Sequence, residues 1–393
     1  MKVMFAHDSI FINNNENIFT TGSLNYNVWQ RYLKVFDEIV IASRMRYSNE
    51  SEGLDISSGE NVSFCEVPNL SSPVSKIVSR KKAVDILTRQ LLTCDALIVR
   101  LPSEIGNLAV RLAVKHKIPW AVEVVGCAWD SLWNYGNLKG KIYAPIAKKN
   151  MEKIVSKSMF SLYVTNHTLQ RKYPSYGRQV SCSNVEIPYV ENEILEKKMK
   201  NIYNLEKKII IGLIGSLKNN IKGIDTAIKS LSLINCSIEL RVLGGGDTEK
   251  WRKLAEDEGV NDLVYFDGKL QSGAAVYEWL DNIDLYIQPS YQEGLPRALI
   301  EAMSRGCPSI GSTAGGIPEL LEIGCLHAPG DYITLAKNIS KLLSDKNMMK
   351  KQSERNFSIA RDYARINLDK RRTLFWKDFY ESFNETKVGN TQI

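Results

Sequence analysis

Short aliphatic runs alternate with longer amphipathic stretches along the chain. Runs rich in β-branched residues predict strands, whereas apolar residues that recur every three to four positions predict helices. In the first half, the pattern predicts strands at Val3–Ala6, Ile39–Ala42, Ala96–Arg100, Trp120–Val124 and Ser161–Val164, and helices at Ser23–Val35, Ser75–Leu92, Ser103–Lys115 and Lys141–Lys157. In the second half, it predicts strands at Ile209–Ile214, Ile238–Leu243, Leu263–Phe266, Leu285–Gln288 and Ser309–Gly311, and helices at Gly223–Leu233, Thr248–Glu258, Gly273–Asn282 and Pro296–Arg305. Regular alternation of this kind favours βαβ units with parallel sheets.

The alternation continues through both halves, so two doubly wound α/β domains fit better than one sheet of about ten strands. Charged residues replace the apolar pattern near residues 191–205, which predicts a hinge there. We therefore expect an N-terminal domain over residues 1–195 and a C-terminal domain over residues 205–365. A helix over residues 366–384 is expected to pack back toward the first domain, followed by a polar tail over residues 385–393.

Composition adds constraints on the compartment and on metals. The chain has 393 residues, of which 44% are hydrophobic and 24% charged, as in ordinary globular proteins. Its seven cysteines are scattered and form no Cys-x-x-Cys pair, which indicates buried thiols in a reducing compartment and no structural metal site. The chain lacks a signal-peptide pattern and an apolar run long enough to span a membrane, so we expect a cytoplasmic protein.

Charge is distributed unevenly between the halves. Residues 1–200 hold 26 basic and 19 acidic side chains, whereas the remaining residues balance. Most of the excess lies between Arg111 and Arg178, including a lysine cluster within Lys139–Lys157. A concentrated basic face favours an anionic partner such as a lipid surface or a phosphorylated substrate. A solvated face without a partner is the alternative interpretation.

The segment Asp284–Pro308 carries the most informative chemistry. Glu293 lies in the loop after a predicted parallel strand, where open α/β sheets bind ligands, and Glu301 lies in a helix that is expected to be buried. The first backbone N–H groups of that helix, between the two acids, can bind an anion. Carboxylates accept hydrogen bonds from hydroxyls, so the combination indicates a ligand that is part polyol and part phosphate, such as a sugar nucleotide. A helix-start acid and a separate salt-bridged acid would give the same pattern.

Neighbouring loops repeat this design. Lys222 precedes a predicted helix N-terminus, where its ammonium could neutralise phosphate charge. The glycines of Gly244–Gly246 let backbone approach a ligand without interference from Cβ. Position 249 is Glu, so the segment is not a Gly-x-Gly-x-x-Gly dinucleotide motif.

These residues resemble the family 4 glycosyltransferases, whose GT-B fold consists of two facing Rossmann-like domains with an interdomain cleft. The Glu-x7-Glu signature of that family matches at Glu293 and Glu301. The resemblance is strong over about residues 205–330. In the first half only the strand order and the early Gly22–Ser23 loop correspond. Further matching segments, in the expected order, are Lys222–Gly223, Gly244–Gly246, Phe266–Gly268 and the whole of Asp284–Glu319.

The resemblance implies a role for individual residues. Glu293 would hold the hydroxyls of the donor sugar, Glu301 the ribose hydroxyls, and Lys222 the charge of the leaving diphosphate. Glu293 and Lys222 are thus the implied catalytic residues. The implied donor-binding residues are Ser216, Lys218, Gly244, Gly268, Leu270, Gly294, Leu295, Pro296 and Glu301, with the backbone near Gly268 and Leu270 framing the base.

The chain also departs from the family pattern. Members commonly place Arg where Ser216 follows Gly215, and Lys218 is the candidate substitute. Many members carry a His after the fourth strand of the first domain, whereas here that segment runs from Glu123 to Asp130 without one. The candidate acceptor-side residues are Gly22, Ser23, Glu123, Asp130 and His167. A helix-capping role for Asp130, and a packing or capping role for His167, remain open.

The resemblance implies a retaining hexosyl or glycosyltransferase of bacterial surface-polysaccharide biosynthesis. Its donor would be a nucleotide sugar, by family habit a UDP-sugar, and its acceptor a lipid-linked or saccharide molecule. No cofactor, metal or nucleic acid is expected, and the absence of Asp-x-Asp from the sequence agrees with metal independence. The protein is expected to be cytoplasmic and to contact the inner face of the membrane through Lys139–Lys157. The alternatives are an epimerase or glycogen-type synthase, or a nucleotide-sugar sensor that has lost transfer.

Overall fold

A computed structural model of the chain describes residues 1–49, 52–133, 138–203 and 208–389. The chain divides into two compact units. The first comprises Met1–Cys182 together with Asp369–Ile393, and the second is Ser183–Leu368.

The first unit is a Rossmann-like domain built on a nine-stranded sheet. Seven strands pair in parallel in the order β5-β3-β1-β6-β7-β8-β9, and β2 and β4 extend the sheet antiparallel. The sequence pattern does not predict β2, β4, β5 and β9. The strands are β1 Lys2–Asn13, β2 Ile18–Thr20, β3 Glu38–Tyr47, β4 Asp55–Ile56, β5 Val62–Glu66, β6 Ala96–Leu101, β7 Trp120–Val124, β8 Phe160–Tyr163 and β9 Arg178–Ser181. The helices are α1 Tyr26–Leu33, α2 Pro73–Leu91, α3 Glu104–Lys115, α4 Ala128–Trp133, α5 Leu138–Lys157 and α6 Thr168–Lys172.

Successive residues of β1 pack into layers on opposite faces of this sheet, because side chains alternate along a strand. Met4 and Ala6 belong to one buried apolar cluster. Phe5 instead contacts Trp29 and Tyr32, with ring centroids 5.1 and 5.5 Å apart. Both faces of β1 are therefore covered, as in doubly wound folds.

The second unit is a Rossmann-like domain with a six-stranded parallel sheet in the order β12-β11-β10-β13-β14-β15. Its strands are β10 Ile209–Ile214, β11 Ile238–Leu243, β12 Val264–Gly268, β13 Leu285–Gln288, β14 Ser309–Ser312 and β15 Leu326–His327. Its helices are α7 Asn192–Tyr203, α8 Ile224–Leu231, α9 Glu249–Asp257, α10 Ala274–Asp281, α11 Arg297–Ser304, α12 Ile317–Leu320, α13 Tyr332–Leu343 and α14 Lys346–Arg361. Since β10 and β13 are neighbours, the loops that follow them leave the same edge of the sheet.

The prediction of a hinge at residues 191–205 is wrong over its described part, because Asn192–Tyr203 is helix α7 of the second unit. Lys198, in the charged run that suggested a linker, is 4% exposed. Its Nζ donates hydrogen bonds to the backbone carbonyls of Leu280, Asp281 and Ile283 at 3.3, 3.0 and 2.8 Å. The ammonium group of Lys198 thus anchors the charged helix α7 to the second unit.

The last helix, α15 Arg365–Gly389, extends past the predicted start of the polar tail at residue 385. Residues 390–393 lie outside the described part of the chain. The helix contributes aromatic side chains to the core of the first unit. The ring of Trp376 lies 5.6 Å from that of Tyr32, and Phe379 lies 5.3 Å from Phe160.

No helix in the described ranges is both long enough and apolar enough to cross a membrane. All seven cysteines lie in those ranges, and each is a free thiol.

Candidate active site

Lys222 and Glu293 form an ion pair at the carboxyl edge of the second sheet. Lys222 lies in the loop between β10 and α8, and Glu293 lies in the loop between β13 and α11. The Lys222 Nζ lies 2.6 Å from Oε1 of Glu293. The Glu293 side chain is 7% exposed and that of Lys222 is 30% exposed, so the pair is open from the lysine side. The structure therefore brings together the two residues that the sequence assigns to catalysis.

The carboxylate of Glu293 is held through one oxygen. Besides Lys222, the Ser290 hydroxyl and the Gln288 amide donate to Oε1, at 2.8 and 3.2 Å. Ser290 and Gln288 are fully buried, and the hydroxyl of Tyr286 donates to the amide oxygen of Gln288 at 2.8 Å. Oε2 of Glu293 accepts no hydrogen bond from the described residues. Three donors therefore orient the carboxylate and leave Oε2 to accept a hydrogen bond from a ligand.

Glycines bring a second loop against Glu293. Gly315, after β14, has φ +54°, and a Cβ there would lie 2.1 Å from the carbonyl oxygen of Glu293. The N–H of Gly316 donates to the carbonyl of Gly294 at 2.7 Å. Only glycine fits this approach, because other residues rarely adopt positive φ and would clash with the neighbouring backbone. The loops after β13 and β14 are thus fixed to each other beside the Lys222–Glu293 pair.

Glu301 is a buried carboxylate that makes no hydrogen bond or ion pair within the described residues. It lies in α11 and is 9% exposed. Burial raises its pKa, and the positive charge of Arg297 partly opposes that rise. Buried carboxylates are rare unless they are paired, so an unpaired one at this edge indicates a group that binds a ligand.

The two acids share an electrostatic neighbour. Tyr286 is fully buried in β13, and its pKa is raised, first by burial and then by the negative charges of Glu293 and Glu301. Burial and the charge of Glu301 also raise the pKa of Tyr277 to about 12. Both carboxylates are therefore close enough to Tyr286 to raise its pKa.

Helix α11 begins at Arg297, one residue later than predicted, with Pro296 immediately before it. Gly294 and Leu295 are half-buried in the preceding loop, and Pro296 is buried. This places the first N–H groups of α11 between Glu293 and Glu301 along the chain.

Three further glycines join the loops after β10, β11 and β12. A Cβ on Gly244 would lie 1.8 Å from the carbonyl oxygen of Gly215, and the N–H of Gly244 donates to the carbonyl of Gly268 at 2.7 Å. Ser216 and Lys218 are exposed in the first of these loops, where the Lys218 N–H lies 3.4 Å from the Ser216 hydroxyl.

Leu270 is half-buried in the loop after β12, close in sequence to Gly268. The predicted donor-binding residues thus lie along one edge of the second sheet. Their binding roles stay predictions.

The acceptor-side candidates of the first unit have different surroundings. Gly22 and Ser23 are exposed in the loop after β2, and the Gly22 N–H donates to the Thr20 hydroxyl at 3.0 Å. His167 is exposed and directly precedes α6, but its side chain makes no capping hydrogen bond. That cap comes from Thr165, whose hydroxyl accepts from the Leu169 N–H at 3.0 Å.

Glu123 and Asp130 are both engaged within the first unit. Glu123 is 2% exposed and its Oε1 accepts from the Tyr32 hydroxyl at 2.6 Å, whereas Oε2 has no hydrogen-bond partner among the residues that the structure describes. Asp130 lies in the first turn of α4 and pairs with Lys172 at 2.9 Å. An acceptor role stays a prediction for both acids.

The sequence pattern assigns no role to Gln288 and Ser290, although both lie in the segment Asp284–Pro308. The available signal was a polar pair at the end of a strand whose other residues are apolar. No group of three His, Cys, Asp or Glu side chains in the described ranges is arranged to hold a metal ion.

Comparisons with known proteins agree on family and fold. Residues 208–345 match the family described as "Glycosyl transferases group 1". Protein CapJ of Staphylococcus aureus is 34% identical over 97% of this chain and 98% of its own length. The amylovoran biosynthesis glycosyltransferase AmsK of Erwinia amylovora is 33% identical over 31% of this chain and 33% of its own length. Among solved structures, Anabaena HepE in complex with UDP has a TM-score of 0.67 at 14% identity, over 98% of this chain and all of that one. This likeness identifies the fold as GT-B.

Proposed function

Because the chain belongs to the glycosyl transferases group 1 family, and is therefore a glycosyltransferase, we propose that it transfers a sugar from a UDP-sugar to a lipid-linked or saccharide acceptor. One observation carries the donor proposal. The unpaired, buried Glu301 lies at the same sheet edge as the Lys222–Glu293 pair. HepE, with the same fold, was solved with UDP, which supports uridine as the base.

Each part of the donor has a matching group. Oε2 of Glu293 accepts hydrogen bonds from hydroxyls of the donor sugar, and Glu301 accepts those of the ribose hydroxyls. The diphosphate binds the first N–H groups of α11, where the helix dipole favours negative charge. The backbone from Gly294 to Pro296 lines the path between sugar and diphosphate.

Lys222 changes partner when the donor binds. Without donor its ammonium pairs with Glu293 at 2.6 Å, and its 30% exposure leaves it open to a diphosphate. As the bond between the anomeric carbon and the phosphate oxygen breaks, the electron pair moves to the diphosphate and Lys222 stabilises the new charge. Such preorganised electrostatic stabilisation is commonly the largest catalytic contribution, about 3–4 kcal/mol for one donor.

Transfer proceeds with retention and without a metal. The acceptor oxygen bonds to the anomeric carbon on the face that the diphosphate leaves, and the departing phosphate oxygen takes the acceptor proton. This route needs no protein base. That agrees with a site where Glu293 is paired with the ammonium group of Lys222. The absence of Asp-x-Asp from the sequence supports metal independence.

The acceptor belongs to surface-polysaccharide synthesis at the cytoplasmic face of the membrane. AmsK, a relative over a third of its own length, is named for amylovoran biosynthesis. The exposed lysines of Lys139–Lys157 in the first unit provide the contact with anionic lipid, as a peripheral interaction.

A thermal-shift screen against nucleotide sugars tests the donor proposal, because a ligand that binds the native state raises its apparent stability. We expect a UDP-sugar to raise Tm for the wild type and for the control Glu278→Gln, an exposed acid of the same unit.

Glu293→Ala should abolish transfer while the protein stays folded. Slow donor hydrolysis without acceptor is also expected, and its absence would favour a sensor. A screen with no stabilising nucleotide sugar would contradict the proposal.

A further inference from the structure

Helix α5 in the first unit exposes an apolar stripe. Leu138, Ile142 and Ile146 are spaced four residues apart, so they lie on one face of the helix. They are 74%, 68% and 53% exposed. A soluble helix normally turns such a stripe toward the core, and α5 already buries a different face there. The exposed stripe is therefore additional to the residues that fold the domain.

Helix α2 exposes a second stripe in its first turns. Val74, Ile77 and Val78 follow the i, i+3, i+4 spacing and are 71%, 81% and 76% exposed. Single exposed apolar side chains are common on protein surfaces, but here three large aliphatic side chains lie together.

One side-chain contact joins the two helices that carry these stripes. Lys76 of α2 donates to the hydroxyl of Tyr143 of α5 at 2.6 Å, and its ammonium lies 4.1 Å from the centre of that ring. Glu104 of α3 joins the contact, 3.0 Å from Lys76 and 2.9 Å from the Tyr143 hydroxyl. Lys76 precedes Ile77 and Tyr143 follows Ile142 in the sequence, so the contact joins α2 and α5 at residues next to those of the stripes. We call these six side chains the α2–α5 apolar surface: Val74, Ile77, Val78, Leu138, Ile142 and Ile146.

The two helices that carry this surface are strongly basic. Helices α2 and α5 together carry eleven Lys or Arg residues and two acids, Asp85 and Glu152. Glu152 is already paired with Lys148 at 3.6 Å. Trp133 of α4 is 43% exposed, and the ammonium of Lys141 lies 5.6 Å from its ring. Apolar side chains with a basic rim and an exposed tryptophan are the pattern of a helix face that enters the lipid interface.

We propose that the α2–α5 apolar surface inserts into the headgroup and acyl boundary of an anionic lipid bilayer. This inference rests on the membrane contact in the proposed function. It adds insertion of apolar side chains to the electrostatic contact made by the lysines. The lysines of α5 attract the anionic lipid, and the aliphatic side chains of both helices then hold the protein in the interface. The two helices carry eleven basic and two acidic residues, an excess of nine, which favours lipid over a protein partner, whose matching face would have to be strongly acidic.

Vesicle sedimentation with the full chain tests the proposal. The probes are vesicles of phosphatidylcholine alone and of an equal mixture of phosphatidylcholine and phosphatidylglycerol, each at low and high salt. The variant is Ile77→Ser/Ile142→Ser, with Val74→Ser/Ile146→Ser as a second pair. Ile323→Ser is the matched control, since Ile323 is 89% exposed in the second unit. Circular dichroism and thermal unfolding check that each variant folds.

We expect the wild type and Ile323→Ser to bind the mixed vesicles and to keep part of that binding at high salt, since insertion is not screened. Each double variant should bind at least about tenfold more weakly. Unchanged binding by both double variants would reduce the contact to electrostatics and overturn insertion. No wild-type binding, or a wild-type dimer that the variants lose, would overturn it as well. Thermal shifts with UDP-sugars on the same variants should stay unchanged, which separates this proposal from the donor site.

Discussion

Lys222 and Glu293 lie 71 residues apart in the chain, yet their side chains meet at 2.6 Å between the loops of two adjacent parallel strands. The pair gives each residue a partner while no donor is bound. In the proposed function, Lys222 keeps its exposed side for phosphate, and Glu293 keeps Oε2 for a sugar hydroxyl. The ion pair thus holds both side chains in position, and the buried charge of Glu293 has an opposite charge beside it.

Lys222→Ala should lower transfer by about 10²–10³-fold, because the leaving diphosphate loses its closest cation. The free energy of unfolding should change by no more than about 1 kcal/mol, since the lysine is partly exposed and Glu293 keeps two donors. Steady-state rates and chemical denaturation measure the two effects. Lys253→Ala, at an exposed position on α9, is the control and should leave both unchanged. Wild-type turnover in Lys222→Ala would remove the lysine from the mechanism.

Glu301→Gln should stabilise the protein at neutral pH while weakening donor binding. Burial raises the pKa of this carboxyl in the folded state, so the folded state disfavours its charged form. Above that raised pKa the wild type bears the full cost, which the amide removes. Below about pH 4 the carboxyl is protonated in folded and unfolded states alike, and the gain should vanish.

Thermal unfolding of both proteins across pH 3–8, a range of about five units around the ordinary carboxyl pKa, measures this difference. Glu278→Gln, an exposed glutamate on α10, provides the matched substitution and should show no pH-dependent gain. A Glu301→Gln protein that is less stable than the wild type at neutral pH would indicate an internal partner for this acid.

Gly315→Ala should displace the loop that carries Glu293, although Gly315 itself has no proposed contact with the donor. The new Cβ would meet the Glu293 carbonyl at 2.1 Å with φ at +54°, so the loop must move. We expect a loss of about 2 kcal/mol or more in unfolding free energy and a fall in transfer.

Two other glycines separate the causes of that loss. Gly259→Ala has the strained φ of +69° but open space, and should cost about 1 kcal/mol without loss of activity. Gly324→Ala has neither feature and should be neutral. Equal behaviour of all three variants would show that the close approach at Glu293 does not matter.

Ser290→Ala removes one of the three donors to Oε1 of Glu293. We expect a loss of about 1 kcal/mol in stability and about tenfold in kcat, with a smaller change in KM, because the carboxylate is less well oriented. Ser344→Ala is the control, since the hydroxyl of this helix-end serine bonds only to the Lys341 carbonyl among the described residues. An unchanged kcat would mean that Lys222 and Gln288 suffice to hold Glu293.

The apolar pattern is sufficient to predict most of the parallel strands, because buried strands such as β6 and β13 contain runs of three or more consecutive apolar residues. It failed where burial is partial. Strand β5, Val62–Glu66, is half-exposed along its length, so it has no such run. Helix α7 looked like a linker because its charges dominate the local composition, and the burial of Lys198 depends on carbonyls about 80 residues away.

At the site, spacing along the chain indicated Glu293, Glu301 and Lys222, because each lies beside a predicted strand end or helix start. Spacing alone could not show that Lys222 pairs with Glu293, since this depends on the order of strands in the sheet. The same holds for Gln288 and Ser290, whose contribution comes from hydrogen-bond geometry at a single oxygen.

Calorimetric titration of UDP into the wild type, Glu301→Gln and Glu278→Gln tests the central claim most directly. The account predicts that UDP binds the wild type and Glu278→Gln alike and binds Glu301→Gln at least about tenfold more weakly, because charge-assisted hydrogen bonds to the ribose are lost. Equal affinity in all three proteins, or no UDP binding by the wild type, would contradict it.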